Sequence, residues 1–238
     1  RGEKHHGEPN TWDVTLVTDM TELFKGLETF NAPIDRWDTS NVTDMSFMFA
    51  YATAFNQPLT FNTSQVTNMR VMFYEARAFN QPLAFDTSQV TDMSMMFAHA
   101  ESFNQPLTFD TSKVTNMHAM FDDANSFNQP LSFDTSQVRT MQRMFAGATT
   151  FNQPLTFDTS KVTTMGYMFH GADAMTYPKP GQRPKPTTKQ ELRTWIEEYC
   201  RGEKHHGEPN TWDVTSVTDM SELFKGMRNF NAPIDQWD

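Results

Sequence analysis

The chain has 238 residues, a formal charge of −10 and one cysteine, Cys200. That length fits one or two domains, the lone cysteine excludes an internal disulfide framework, and acidity without a basic face argues against nucleic-acid binding. No apolar run approaches the roughly 18 residues of a membrane helix, and no secretory leader pattern is present.

Residues 1–10, RGEKHHGEPN, carry Gly2, Gly7 and Pro9 and read as a loop leading into an array. His5 and His6 are adjacent and lack a third ligand at suitable spacing, which favours a polar loop over a metal site. Trp12-Asp13-Val14-Thr15 opens the first coil, and Met20, Leu23, Phe24 and Leu27 supply a short helical face capped by Thr18. Residues 30–54 form a second coil with Trp37 where later coils carry Phe; its one extra residue is expected as a bulge.

Five copies opening on FNQPL follow, at Phe55, Phe79, Phe103, Phe127 and Phe151, each 24 residues after the last. A fixed period of this length marks a stacked array of repeats. Residues 79–102, FNQPLAFDTSQVTDMSMMFAHAES, contain two rhythms. Leu83 and Phe85 alternate with polar neighbours, as a strand does, while Met93, Met96, Phe97 and Ala100 fall at i, i+3, i+4 and i+7, as one helix face does. Asp86-Thr87-Ser88 between them favours an Asx turn. The predicted fold is therefore an α/β repeat solenoid with one short extended segment and one short helix per coil of 24–25 residues.

Because so short a helix is unstable alone, the coils must stack. Stacking in register would make columns of like residues: Phe73, Phe97, Phe121, Phe145 and Phe169; Met69, Met93, Met117, Met141 and Met165; Phe61, Phe85, Phe109, Phe133 and Phe157. The opening Phe residues are followed by Asn56, Asn80, Asn104, Asn128 and Asn152, expected as an asparagine ladder that satisfies backbone groups at a bend. Two threonine rows, Thr63, Thr87, Thr111, Thr135 and Thr159, and Thr67, Thr91, Thr115 and Thr163, read as turn and cap chemistry rather than an ice-ordering face. Asp86, Asp110, Asp134 and Asp158 lack the glycine-rich nonapeptide of a calcium column. Arg70, Tyr74, Glu75, His99, His118, Asp122, Arg143 and His170 differ from coil to coil and mark a solvent face with no obvious stripe.

The array, coils 11–174 after the leading loop, ends at a proline-rich linker, 175–186. Residues 187–200 then read as an amphipathic capping helix, with a TKQE capping box and Leu192, Trp195, Ile196 and Tyr199 on one face, which would lid an open end of an array. Residues 201–238 restate 1–38 with changes at only six positions: 16, 21, 27, 28, 29 and 36. They start a second array 200 residues on, and predict a longer periodic chain in which position 200 has a counterpart before Arg1.

The pattern FNQPLxFDTSxVTxMxxMFxxA resembles the repeat of the BspA-like leucine-rich-repeat surface proteins, most closely over residues 30–49 and, with one residue fewer, in the coils from Phe55 to Phe151. The segments from Trp12 and Trp212 are similar to that family's leading coil, and residues 191–199 to the helix before it. The resemblance implies a leucine-rich-repeat-like solenoid, a cell-surface or extracellular setting, and adhesion or interaction. It supplies no catalytic residues.

No phosphate loop, nucleophile elbow or localised His/Asp/Ser set is present, so neither an enzyme nor a cofactor is expected. The expected role is a structural repeat protein that self-associates, with 200-residue units stacked end to end in an extracellular fibre or surface layer. The alternative is a cell-surface module binding glycans or host proteins. Asn41 and Asn62 lie in N-glycosylation sequons. Cys200 is a candidate inter-chain crosslink whose simpler reading is a thiol packed behind Tyr199.

Overall fold

The computed structural model describes residues 7–177, 180, 185–203, 206 and 209–237. His5, His6 and half of the proline-rich linker lie outside the described residues. The chain divides into two compact units, Arg1–Gln153 with Phe157–Met175, and Pro154–Thr156 with Thr176–Asp238.

The first unit is a stack of repeats held in parallel register. Asp44, Asn68, Asp92, Asn116, Thr140 and Thr164 form a chain of parallel bridges, each to its equivalent one repeat away, and Leu59 bridges Leu83 in the same way. These are isolated bridges, and among the described residues of this unit there is neither an extended strand nor an α-helix. The expected strand and helix in every coil do not form.

The reason lies in where the backbone N–H groups go. Those of Met93, Met95, Phe97 and His99 donate to the Asn116, His118, Met120 and Asp122 carbonyls of the next repeat at 2.7–3.1 Å. The alternate N–H groups of Met96, Ala98 and Ala100 close tight turns onto the carbonyls three residues back at 3.1–3.2 Å. A helix would send both sets four residues back and leave neighbouring repeats unconnected; two turns of it are marginal in water. Splitting the donors satisfies the segment and joins the repeats in one arrangement.

This geometry needs left-handed backbone at two positions per repeat. Phe47, Val71, Met95, Ala119, Arg143 and Tyr167 have φ of 51–60°, and so do Tyr51, Glu75, His99 and Asp123, at 53–59°. Each such residue costs roughly 1–2 kcal/mol relative to right-handed backbone. At the second position the sequence relents three times: Gly26, Gly147 and Gly171 stand in register with Tyr51 and His99 and carry φ of 71°, 66° and 72°.

The side-chain columns form the interior. Rings of Phe24, Phe49, Phe73, Phe97, Phe121, Phe145 and Phe169 stack at 5.3–5.7 Å between centroids. A second column runs from Phe30 through Phe55, Phe79, Phe103 and Phe127 to Phe151 at 5.8–6.1 Å. Within each repeat the two columns touch, as Phe97 and Phe103 do at 4.2 Å. Met69, Met93, Met117 and Met141 fill the space beside them and are fully buried. Burial of side chains this size contributes roughly 1.5–3 kcal/mol each, ample to offset the left-handed residues.

Polar side chains run in parallel ladders. Asp86 Oδ1 accepts the Ser88 N–H at 3.0 Å, the Asx turn expected of Asp-Thr-Ser, and Asp110, Asp134 and Asp158 repeat it. Thr63, Thr87, Thr111 and Thr135 are buried, each donating its hydroxyl to a carbonyl of the next repeat at 2.9–3.0 Å. Asn56 Oδ1 accepts the Asn80 N–H at 3.0 Å and the Gln81 Nε2 at 3.1 Å, and the pattern recurs through Asn152.

The second unit contains the one α-helix among the described residues, α1, Lys189–Cys200. Thr188 caps it by accepting the Glu191 N–H at 3.1 Å, and Glu191 reaches back to the Thr187 N–H at 2.8 Å. Its buried face, Leu192, Trp195 and Ile196, forms a core with Trp212, Val214, Val217 and Leu223. The helix thus covers the beginning of the array that follows it.

Candidate functional site

On the first unit a groove of about 520 Å³ crosses several repeats. The two left-handed columns build it: Phe47, Val71, Met95 and Ala119 from one, Tyr51 and His99 from the other, with Lys25, Arg70, Tyr74 and Asp122 beside them. The reversed φ gives these residues a different outward direction from the turns around them, so side chains far apart in sequence meet on one face.

Tyr51, Tyr74 and His99 form a run of edge-to-face contacts, with centroids 5.1 Å and 5.4 Å apart. Burial, with the neighbouring Tyr51, pushes the Tyr74 hydroxyl above the usual tyrosine range. At one end the Arg70 guanidinium lies 4.9 Å from the centroid of Phe47, and Lys25 Nζ lies 5.1 Å from the same ring. At the other, Arg143 grips the buried Asp122 with two hydrogen bonds of 2.8 Å and 3.0 Å. Asp122 is thereby a fixed wall of the groove.

One column explains why there is room. Ala50, Tyr74, Ala98, Asp122, Ala146 and His170 share a repeat position and alternate small with large. The alanines leave space into which Tyr74 and Asp122 extend. Sequence reasoning placed Arg70, Tyr74, His99 and Asp122 on a solvent face without a stripe; the structure brings these four to one groove and adds Lys25, Phe47, Tyr51 and Met95. The available signal was glycine: Gly26, Gly147 and Gly171 stand in register with Tyr51 and His99 and announce reversed backbone there.

The other candidate residues are dispersed. Asn41 and Asn62 are both exposed; the Asn41 amide nitrogen donates to the Thr15 carbonyl at 2.8 Å, whereas Asn62 accepts the Ser64 N–H through its oxygen at 3.1 Å. Cys200 is half-buried against the helix core, next to Tyr199. The phenylalanine and asparagine ladders are interior or half-buried and are used up by contacts between repeats. Of the threonine rows, the first is internal at Thr63, Thr87, Thr111 and Thr135 and half-buried at Thr159, while Thr67, Thr91, Thr115 and Thr163 are exposed and Arg139 interrupts them. Among the described residues no three His, Cys, Asp or Glu side chains converge as a metal site would require. No helix among them is long and apolar enough to cross a membrane.

The groove brings together aromatic edges, the cations of Lys25 and Arg70, the phenols of Tyr51 and Tyr74, the Ser94 hydroxyl, the His99 imidazole and the Asp122 carboxylate. A family model described as "Mycoplasma protein of unknown function, DUF285" matches residues 3–108, 83–180 and 196–238. No curated protein and no solved structure matches the chain.

Proposed function

Because the chain belongs to the DUF285 family, a family of repeat proteins, we propose that it is a non-enzymatic structural repeat protein, a building block of an extracellular fibre or surface layer. Repeats stack as a solenoid, and 200-residue units join in series. The observation that carries this reading is the restart at residue 201: the helix Lys189–Cys200 packs on the coil that follows it, so the end of one array is also the beginning of the next. The likeness of the repeat to BspA-like surface proteins supports the extracellular setting, and Asn62, exposed and bonded through its amide oxygen, is the better glycan acceptor of the two sequons, since the Asn41 amide nitrogen is engaged by the Thr15 carbonyl. Electron microscopy of the native assembly is the test: regular filaments or sheets are expected, and isolated tethered globules would refute the reading.

A second reading, a binding module for glycans or host proteins, is favoured by the Tyr51, Tyr74 and His99 run beside Arg70. Aromatic edges next to fixed donors suit a sugar ring or an acidic segment. A glycan and peptide array probed with the chain and with Tyr74→Ala separates the two: binding lost with the substitution supports recognition, and no binding at all leaves the structural role alone.

A further inference from the structure

The groove carries one cation that the array does not spend on itself. Ser46, Arg70, Ser94, His118 and Gln142 share a repeat position, each giving its carbonyl to an N–H of the preceding repeat at 2.8–3.1 Å. Arg70 is the one member of this row with a permanent charge, and small serines flank it on both sides. Neighbouring cations are committed: Lys25 pairs with Glu22, Arg77 with Glu75, and Arg143 with Asp122. The exposed Arg70 guanidinium instead lies over the Phe47 ring at 4.9 Å and has no carboxylate partner among the described residues. Stacking on the ring steadies it without using its N–H donors.

Away from Arg70 the sign of the charge changes. Asp122 lines the groove, with one Arg143 N–H on each carboxylate oxygen at 2.8 Å and 3.0 Å. Each oxygen keeps a second lone pair, so the carboxylate still accepts a donor from the groove. Glu75 and Asp123 stand in the column of Tyr51 and His99, with Asp123 Oδ2 at 3.5 Å from His99 Nδ1. Between the two ends the Tyr74 ring crosses Tyr51 at 71° and His99 at 81°, which offers ring surface in two orientations over the buried Ala98. The Ser94 hydroxyl also faces this middle stretch.

We infer that the groove binds a carboxylated sugar ring, with the carboxylate on Arg70, the C–H face against Tyr74, and hydroxyls on Ser94 and Asp122. The inference rests on the recognition reading and names its ligand class. A carboxylate and a guanidinium make two parallel charge-assisted hydrogen bonds, which a neutral sugar would leave unmade. An acidic peptide, charged at several residues, would carry further negative charge onto Asp122, Glu75 and Asp123, and like charges brought together oppose binding. One acid group followed by hydroxyls and C–H surface matches the order of chemistry along the groove. Its volume of about 520 Å³ lies within the range of small-ligand sites.

The test titrates the full chain with glucuronic acid and with N-acetylneuraminic acid, followed by NMR at the Met95 methyl, which lines the groove. The two probes put the same carboxylate on different ring skeletons and so report which skeleton fits. Saturable binding of at least one is expected, about tenfold or more tighter than that of glucose or of a capped triglutamate peptide. Arg70→Gln should weaken it by about tenfold or more, the worth of a hydrogen bond to a charged group; Arg70 is exposed, so folding survives. Arg139→Gln, the same change at an exposed arginine on the second threonine row, should leave binding as it was. Equal binding of glucose, tighter binding of triglutamate, or indifference to Arg70→Gln overturns the inference, and recognition by the groove then stands if Tyr74→Ala abolishes that binding and falls if it does not. If no probe moves the Met95 methyl, the inference fails; a ligand on the glycan and peptide array that is lost with Tyr74→Ala keeps the recognition reading, and an empty array removes both.

Discussion

Replacing Gly147 by Ala tests the left-handed columns directly. Gly147 has φ of 66°, where an added Cβ costs roughly 1–2 kcal/mol. A Cβ there would also fall 1.8 Å from Asp123 Oδ1 and 2.8 Å from its Cγ, so the carboxylate must swing away. Asp123 is 43% exposed and can do so, giving up its 3.5 Å contact with His99 Nδ1 at little cost. Against these stands a gain of about 0.4–1 kcal/mol from restricting the unfolded chain. The net expectation is a loss of about 1 kcal/mol, or about 2–4 °C in Tm for a chain of this size, read by urea titration and thermal melting. Gly166→Ala is the control: its φ is not left-handed and a Cβ there meets nothing within 4 Å, so the same substitution should be neutral or stabilising. In an Asp123→Ala background the steric part of the Gly147→Ala loss should vanish while the backbone part remains. If Gly147→Ala proves as harmless as Gly166→Ala, the reversed backbone is not what the repeats use.

Thr87→Val removes a buried hydroxyl and strands the Asp110 carbonyl it serves at 2.9 Å, and should cost about 1–2 kcal/mol; Thr91→Val, on the exposed row, should stay within about 0.5 kcal/mol by the same urea titration. Far-ultraviolet circular dichroism should report little helix, since among the described residues only the 12 of Lys189–Cys200 are α-helical; a helix in every repeat would give a signal several times larger. The Thr215 and Ser221 hydroxyls first, and then their backbone N–H groups with Lys185 and Lys189, hold the Asp213 and Asp219 carboxylates at about 2, below the ordinary 3.8. Groups depressed on folding lend stability above their unfolded value and withdraw it as they protonate, so the helix should loosen from Trp212 between about pH 4 and pH 2, followed by tryptophan fluorescence, with no change from these groups between pH 7 and pH 5.

Period, columns and polar turns were legible because each depends on residues that recur. Phe97 and its copies share one environment, and Asp86-Thr87-Ser88 closes its turn from local chemistry alone. The helix expected at Met93, Met96, Phe97 and Ala100 was not there, because spacing reports which side chains share an interior and is silent about where the backbone donors go. The Met95 N–H reaches His118 in the next repeat, and nothing in the side-chain pattern distinguishes that from a bond to a residue four back. Only the glycines at 26, 147 and 171 carried the difference. The groove was illegible for the opposite reason: Tyr51, Tyr74 and His99 are unlike one another, sit in three different repeats, and meet only once the stacking and the backbone reversal are both known. The helix face was read from Leu192, Trp195, Ile196 and Tyr199, but its use of Arg193 to bind carbonyls is a side-chain-to-backbone pairing with no sequence signature.

A repeat that satisfies itself through its neighbours leaves little free chemistry along its length. Asn80 is committed to Asn56 and Asn104, Thr87 to Asp110, and the Met95 and Phe97 N–H groups to the next repeat. Every such ladder is the same in each coil, so it cannot mark one place as different from another, and a partner meeting it would find no address. Selectivity requires positions that differ, and the groove supplies them, where alternate alanines let Tyr74 and Asp122 stand out. Extending the array by further FNQPL coils would lengthen the ladders and leave the groove unchanged, so any binding by this chain should follow Tyr74 and its neighbours and be insensitive to the number of repeats added.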